Sequence, residues 1–234
     1  MTHPLDNPVR SSLLGGHARF AEHHGTALRY PPEVVPFAAL PAGPGPADWA
    51  DLAALAGPGG TLALAGERGT LPDGWEPLWA GEGVQLVDDG VAGPGTDPEA
   101  IELGTADVPE MLDLTARTQP GPFLPRTVEL GRYLGIRRNG ALVAMAGERL
   151  KPPGWTEISA VCTDEAWRGH GFASRLVRLL VASIKDRGDT PFLHAVATNT
   201  GAIRLYEAMG FRLRQPTVFR AMRTPAERVA PLSD

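Results

Sequence analysis

The sequence predicts a mixed fold of the α/β (α+β) class, and three observations carry that reading. A strand-like run, Glu157–Thr163, leads through a glycine-bearing turn into a strongly amphipathic helix. A second strand-helix pair follows in Pro191–Ala197 and Asn199–Phe211. Upstream, Asn139-Gly140 separates two apolar runs; this is the strongest two-residue hairpin signal, because both central residues of a type I′ turn need positive φ.

The first hundred residues are broken up by prolines and glycines, at Pro31-Pro32 and from Pro41 to Pro46. A helix is expected over Val9–Phe20, with Leu13, Leu14, His17 and Ala18 in step, and a shorter one over Asp48–Ala56, capped by Asp48 and stopped by Gly57-Pro58. Thr61–Ala65 and Val84–Val87 read as short strands. Tryptophans at 49, 75 and 79 argue against disorder, which is poor in aromatics. The loop Ala92-Gly93-Pro94-Gly95 is the expected boundary between an N-terminal lobe (1–95) and a second domain (96–234). Ala65-Gly66-Glu67-Arg68 returns as Ala146-Gly147-Glu148-Arg149, so the lobe is either a degenerate copy of the second half or an irregular cover for it.

In the second half, Asp107 followed three residues later by Glu110 suggests a capping-box start for a helix through Met111, Leu112, Leu114 and Thr115. Gln119–Pro125 is a proline-rich turn, and a short helix is expected after Arg126. Tyr133–Arg137, Ala141–Leu150 and Trp155–Thr163 are the next strands. Ala173, Leu176, Val177, Leu180, Val181 and Ile184 then make one buried helical stripe, ended by Gly188. A strand, a glycine turn and a helix N-terminus form an anion site, because free amides and the helix dipole point outward and glycine carries no Cβ to hold the anion off. The expected phosphate contacts are Gly169, His170, Gly171, Phe172, Ala173 and Ser174.

The spacing excludes two common nucleotide sites. A P-loop needs Lys-Ser or Lys-Thr after its last glycine, where Phe172-Ala173 stands here. A dinucleotide fingerprint needs a third glycine where Ser174 stands, and a longer alternating region. What fits is Arg168-x-x-Gly171-x-Ala173, followed by Asn199-x-x-Ala202-x-x-Leu205-Tyr206-x-x-x-Gly210-Phe211. These two segments resemble the (Gln/Arg)-x-x-Gly-x-(Gly/Ala) and Asn-x-x-Ala-x-x-Leu-Tyr-x-x-x-Gly-Phe motifs of the GCN5-related N-acetyltransferase (GNAT) superfamily. Pro120–Phe123, Arg126-Thr127, Leu130-Gly131, Ala144–Leu150 and Glu157–Ser159 extend the likeness to its FR47-like branch, from about Ile101 to Met222. The resemblance implies a mostly antiparallel sheet with two splayed central strands, flanked by helices, and an acyl-coenzyme A donor such as acetyl-CoA.

Composition narrows the remainder. Net charge is −5 without a Lys/Arg cluster, which gives no footprint for nucleic acid. No apolar stretch approaches the roughly 20 residues of a membrane span. The N-terminus lacks a charged-then-apolar signal pattern, and the single cysteine, Cys162, fits a reducing cytoplasm. The six histidines show no metal-ligand spacing with it, so no metal is expected.

The expected reaction moves an acetyl or other short acyl group from the donor to a primary amine by direct attack. The strand edge at Val161, Cys162 and Thr163 would hold the pantetheine arm, with an amide near Val161 facing the developing oxyanion. Arg168 would add charge near a phosphate or sit in a structural salt bridge, and Asn199 would bind the cofactor or a backbone carbonyl. Tyr206, matched to the family's general acid, would protonate the leaving thiolate; a phenol of pKa about 10 can donate to a thiolate, whose thiol has a pKa of about 8.5, as charge appears. Glu157 is the candidate base, with Glu148 or a water as rivals, since charges inside apolar strands are uncommon unless paired or functional. Cys162 reads as a buried small hydrophobe rather than a nucleophile. The other reading is a non-catalytic acyl-CoA sensor or interaction module on the same fold. Small amines, amino acids and peptide N-termini all stay open as acceptors, as does a homodimer.

Overall fold

Residues 3–93 and 96–226 are described by the computed structural model, and their strands fall into two sheets. The chain opens with a 3-10 turn and helix α1 (Pro8–Leu13), then a small antiparallel sheet of β1 (Glu22–His24), β2 (Ala27–Arg29) and β3 (Ala38–Ala39). Helix α2 (Pro46–Ala56) leads to β4 (Thr61–Ala65) and the long β5 (Glu76–Asp88). Then come β6 (Ala100–Leu103), α3 (Val108–Thr118), β7 (Tyr133–Arg138), β8 (Ala141–Glu148) and β9 (Trp155–Thr163). The order closes with α4 (Phe172–Asp186), β10 (Thr190–Val196), α5 (Thr200–Met209) and β11 (Phe211–Arg223).

The main sheet runs β4-β11-β5-β10-β9-β8-β7-β6. Each neighbouring pair is antiparallel except β9 and β10, whose parallel pairing covers Trp155–Ile158 against Thr190–Leu193 and stops there. Beyond Ile158 and Leu193 the two strands run on unpaired to each other, which is the expected splay.

Alternation sorts the side chains by face. Leu134, Ala144, Ala146 and Ile158 pack with the apolar stripe of α4 and with Tyr206 and Met209 of α5. On the other face, Tyr133, Met145, Ala160 and Cys162 meet Met111 and Leu114 of α3 and Phe123. Farther along that face, Leu5, Val9, Leu13, Tyr30, Val34, Val35 and Phe37 of the N-terminal segment cover Leu130, Leu150 and Phe192.

Several boundaries differ from expectation, each for a local reason. The first helix ends at Leu13, because Gly15-Gly16 follows, and only a 3-10 turn at Ala18–Phe20 resumes it. Helix α2 starts earlier, with Pro46 in its first turn and Asp48 Oδ2 accepting from Gly45 N at 2.8 Å. The box before α3 runs from Gly104 to Asp107, not from Asp107 to Glu110, whose carboxylate is taken by Arg137 at 2.7 Å. Asn139 (φ +53) and Gly140 (φ +84) form the predicted turn.

The main sheet also crosses the boundary expected at 92–95, of which Pro94 and Gly95 lie outside the described residues. Strand β5 lies between β10 and β11, and β4 forms the far edge, so two strands from the first 95 residues complete the sheet of the second half. The two Ala-Gly-Glu-Arg copies are not equivalent: Gly66 turns the chain at φ +87 after β4, whereas Gly147 lies inside β8.

Candidate active site

The site begins where β9 and β10 separate. Pairing of β8 with β9 passes from Gly147↔Ser159 to Met145↔Cys162, so Ala160 and Val161 together oppose Ala146. Ala160 takes φ +52 there. Such a bulge leaves one residue outside the ladder and re-aims the strand. Cys162, just beyond it, is buried, and burial pushes its thiol up to about 11. A thiol held protonated is a poor nucleophile, in keeping with a packing role.

After Thr163, Asp164 Oδ1 caps a 3-10 turn (Glu165–Trp167) by accepting from Ala166 N at 3.0 Å. The chain then passes through Gly169 (φ +82) and Gly171 (φ +74) into α4. Both glycines adopt the left-handed conformation, and a Cβ at either would meet nothing within 4 Å. The first intrahelical bond, from Arg175 N to Gly171 O at 3.1 Å, leaves the preceding amides free to face a diphosphate in that open space. Residues 168–171 are exposed, and Arg168 makes no ion pair among the described residues, so its charge is available there. Phe172, by contrast, buries its ring against Trp167 and His170, with the guanidinium carbon of Arg138 4.8 Å from its centroid. Its side chain therefore anchors the turn, and only its amide can serve a phosphate.

Asn199 caps α5, its Oδ1 accepting from Ala202 N at 3.1 Å, which leaves Nδ2 as its free group. Gly210 ends that helix at φ +107. Tyr206 lies between them, 7% exposed, its ring edge-on to Phe211 at 6.0 Å. Burial, with a smaller contribution from Cys162, raises its phenol to about 12. Its hydroxyl has no hydrogen-bond partner among the described residues, so the proton it carries is uncommitted.

The candidate base is a different matter. Glu157 is fully buried, and Arg149 grips both its oxygens, at 2.8 and 2.7 Å. His194 Nδ1 lies 2.6 Å from the same carboxylate. Burial alone would raise its pKa, but the Arg149 guanidinium outweighs it and holds the carboxylate well below its usual range. Three of the carboxylate's acceptor positions are taken, and a carboxylate so held is a weak base, which weighs against the expected base role. Glu148 fares no better. It lies on the α4 face, paired to Arg187 at 2.6 Å and Lys151 at 3.2 Å.

The Arg149–Glu157–His194 chain was not foreseen, and it continues. His194 Nε2 lies 3.1 Å from Gln85 Nε2, which also donates to Leu5 O at 3.0 Å, and Arg214 donates to Gln85 Oε1 at 2.9 Å. His194 thus sits between Gln85 at Nε2 and Glu157 at Nδ1, and both its ring nitrogens are occupied. One signal was available: Arg149 and Glu157 flank the turn around Pro152-Pro153-Gly154, where hairpin register brings opposite charges together. Among the described residues no group of three or more His, Cys, Asp or Glu could hold a metal, and no helix is long and apolar enough to cross a membrane.

Comparison with known proteins agrees with this geometry. A family model for FR47-like proteins matches residues 133–220. The chain is 36% identical to N-alpha-acetyltransferase RimI of Mycobacterium tuberculosis over 130 residues, covering 50% of this chain and 81% of the relative. A GNAT-family crystal structure from Novosphingobium aromaticivorans superposes with TM-score 0.87 at 38% identity, over 94% of this chain and 98% of the other. A GCN5-related N-acetyltransferase from Kribbella flavida shares the fold at 18% identity, TM-score 0.60, over 95% and 96% of the two chains. With 98% of a GNAT-family structure covered at 38% identity and 81% of an N-alpha-acetyltransferase covered at 36%, the chain belongs to the GCN5-related N-acetyltransferases and is an N-acetyltransferase.

Proposed function

We propose that this enzyme transfers acetyl, or another short acyl group, from acyl-CoA to the α-amine of an amino acid or peptide. The observation that carries the reading is Tyr206: a buried phenol with an uncommitted proton, on the helix that follows the splay. The name of the Mycobacterium tuberculosis relative, an N-alpha-acetyltransferase, directs the acceptor choice to α-amines.

Bound acyl-CoA supplies an activated thioester. The free amides from Gly169 to Ser174 and the Arg168 side chain hold its diphosphate, and the edge of Val161–Thr163 orients the pantetheine arm. An amide at the Ala160–Val161 bulge faces the carbonyl oxygen as negative charge builds on it. As the amine nitrogen bonds to the carbonyl carbon and the carbon–sulfur bond breaks, Tyr206 gives its proton to the departing sulfur. With Glu157 and Glu148 both spent on cations, the proton lost by the amine goes to water.

Steady-state release of thiol from acetyl-CoA with a panel of α-amines tests the proposal. Amine-dependent release is expected. Tight acetyl-CoA binding with no release for any amine would favour the sensor reading instead.

A further inference from the structure

The hydroxyl of Tyr133 is a fully buried side-chain polar atom without a hydrogen-bond partner among the described residues. Burying a polar group unpaired is costly, so its retention asks for a reason. Its position supplies one. Tyr133 is directly opposite Gly147, and Gly147 is directly opposite Ser159, so the three share one face in a row across β7, β8 and β9. Because Gly147 has no side chain, the Tyr133 ring lies over it; a Cβ there would come within 2.2 Å of the ring. The ring thus spans β8 toward Ser159, the first residue of β9 past the last β9–β10 pair.

The neighbouring groups fix the chemistry of a ligand. Arg149 spends Nε and Nη2 on Glu157, and its Nη1 has no partner among the described residues. Ser159 is half-buried and its hydroxyl is likewise without a partner there. Glu157, the carboxylate that Arg149 holds here, has both oxygens in hydrogen bonds. The site therefore holds unspent donors and no unspent carboxylate, so it fits a ligand that brings an oxygen acceptor. Phe123 roofs it, its ring edge-on to Tyr133 at 5.6 Å, carried by a loop whose flanking residues Gln119, Gly121 and Pro122 are exposed.

We infer that Tyr133 is a specificity-determining residue whose hydroxyl donates to the carbonyl oxygen beside the acceptor's α-amine, with the Phe123 loop lifting to admit it. The enzyme then discriminates α-amino carbonyl compounds from simple alkylamines. This rests on the acyl-transfer reading above.

The experiment compares alaninamide with isopropylamine, which has the same branching but no carbonyl, in the wild type and in Tyr133→Phe. The wild type should favour alaninamide at least tenfold in kcat/KM. Tyr133→Phe should raise KM for alaninamide about tenfold, leave kcat and the isopropylamine KM within twofold, and melt no lower than the wild type. A merely structural tyrosine would show an unchanged alaninamide KM, which overturns the assignment while leaving acyl transfer standing. Equal wild-type use of the two amines also overturns it. No thiol release with either amine would remove this inference and the α-amine reading together.

Discussion

Arg149 and Glu157 meet in a two-pronged ion pair, at 2.8 and 2.7 Å, on the face of the main sheet that the N-terminal segment covers. Phe37 of that segment sets its ring 5.1 Å from the guanidinium carbon. The pair is buried, so neither charge has water to fall back on if the other is removed.

Glu157→Gln should therefore act on stability first. It leaves Arg149 charged and uncompensated, at a cost of about 3–5 kcal/mol. Urea unfolding measures the loss, and the acid limb of the pH–activity profile should stay in place. A turnover loss of a hundredfold at unchanged stability would instead return Glu157 to the role of base.

Tyr206→Phe keeps the ring against Phe211 and removes only the hydroxyl. Turnover should fall by about 10²–10⁴, the range for a lost general acid, with little change in acetyl-CoA binding. Where chemistry limits the rate, a loss below threefold sinks the assignment.

Gly171 needs two variants. Gly171→Ala keeps the charge and strains only the left-handed backbone at φ +74, since the space beyond is open. Gly171→Glu adds a carboxylate where the diphosphate is expected. Calorimetry should show acetyl-CoA affinity at least tenfold weaker for Gly171→Glu than for Gly171→Ala, about 1.4 kcal/mol. Equal affinities would place the phosphates elsewhere.

His17 sets an acid limit on the fold. It is 2% exposed, with Nε2 3.0 Å from Leu130 O and Nδ1 2.9 Å from Tyr30 Oη, and burial lowers its pKa from 6.5 to about 4 despite the Leu130 carbonyl. Between those values the unfolded chain binds the extra proton and the folded chain does not. Stability should therefore be complete above pH 6.5 and decline toward pH 4, by about 3 kcal/mol for this group. Urea unfolding across that range checks it, and His17→Gln should flatten the slope. An unchanged slope in that variant would assign the acid loss to other groups.

The catalytic half was legible because its signals are local. The stripe of α4, the Asn139-Gly140 turn and Gly210 each state their structure within a few residues, and the β9 boundaries emerged as expected. Strands β5 and β11 were not legible over most of their length. Residues 76–80 are exposed and show no alternation, and β11 carries Pro216 beside a register shift between Leu213 and Gln215. These segments are strands because of distant partners, not because of their own pattern. The site divided in the same way. The cofactor turn is contiguous in sequence, whereas the ties that bind the Glu157 carboxylate come from residues 8 and 37 positions away. Tyr133 was visible only as a strand residue, and its unpaired hydroxyl required the neighbouring strands to be in place.

The placement of β5 between β10 and β11 also bears on the order of assembly. Its partners are residues 192–196 and 211–223, more than a hundred positions downstream. During synthesis, residues 76–88 emerge long before either neighbour exists, and loop closure over that distance must be paid before any pairing rewards it. The main-sheet strands β4 and β5 therefore cannot pair until the second half of the chain has been made. The sheet closes only when residue 223 has left the ribosome, so a shortened product that lacks β11 strips the amino-terminal region of its scaffold as well as the carboxy-terminal one.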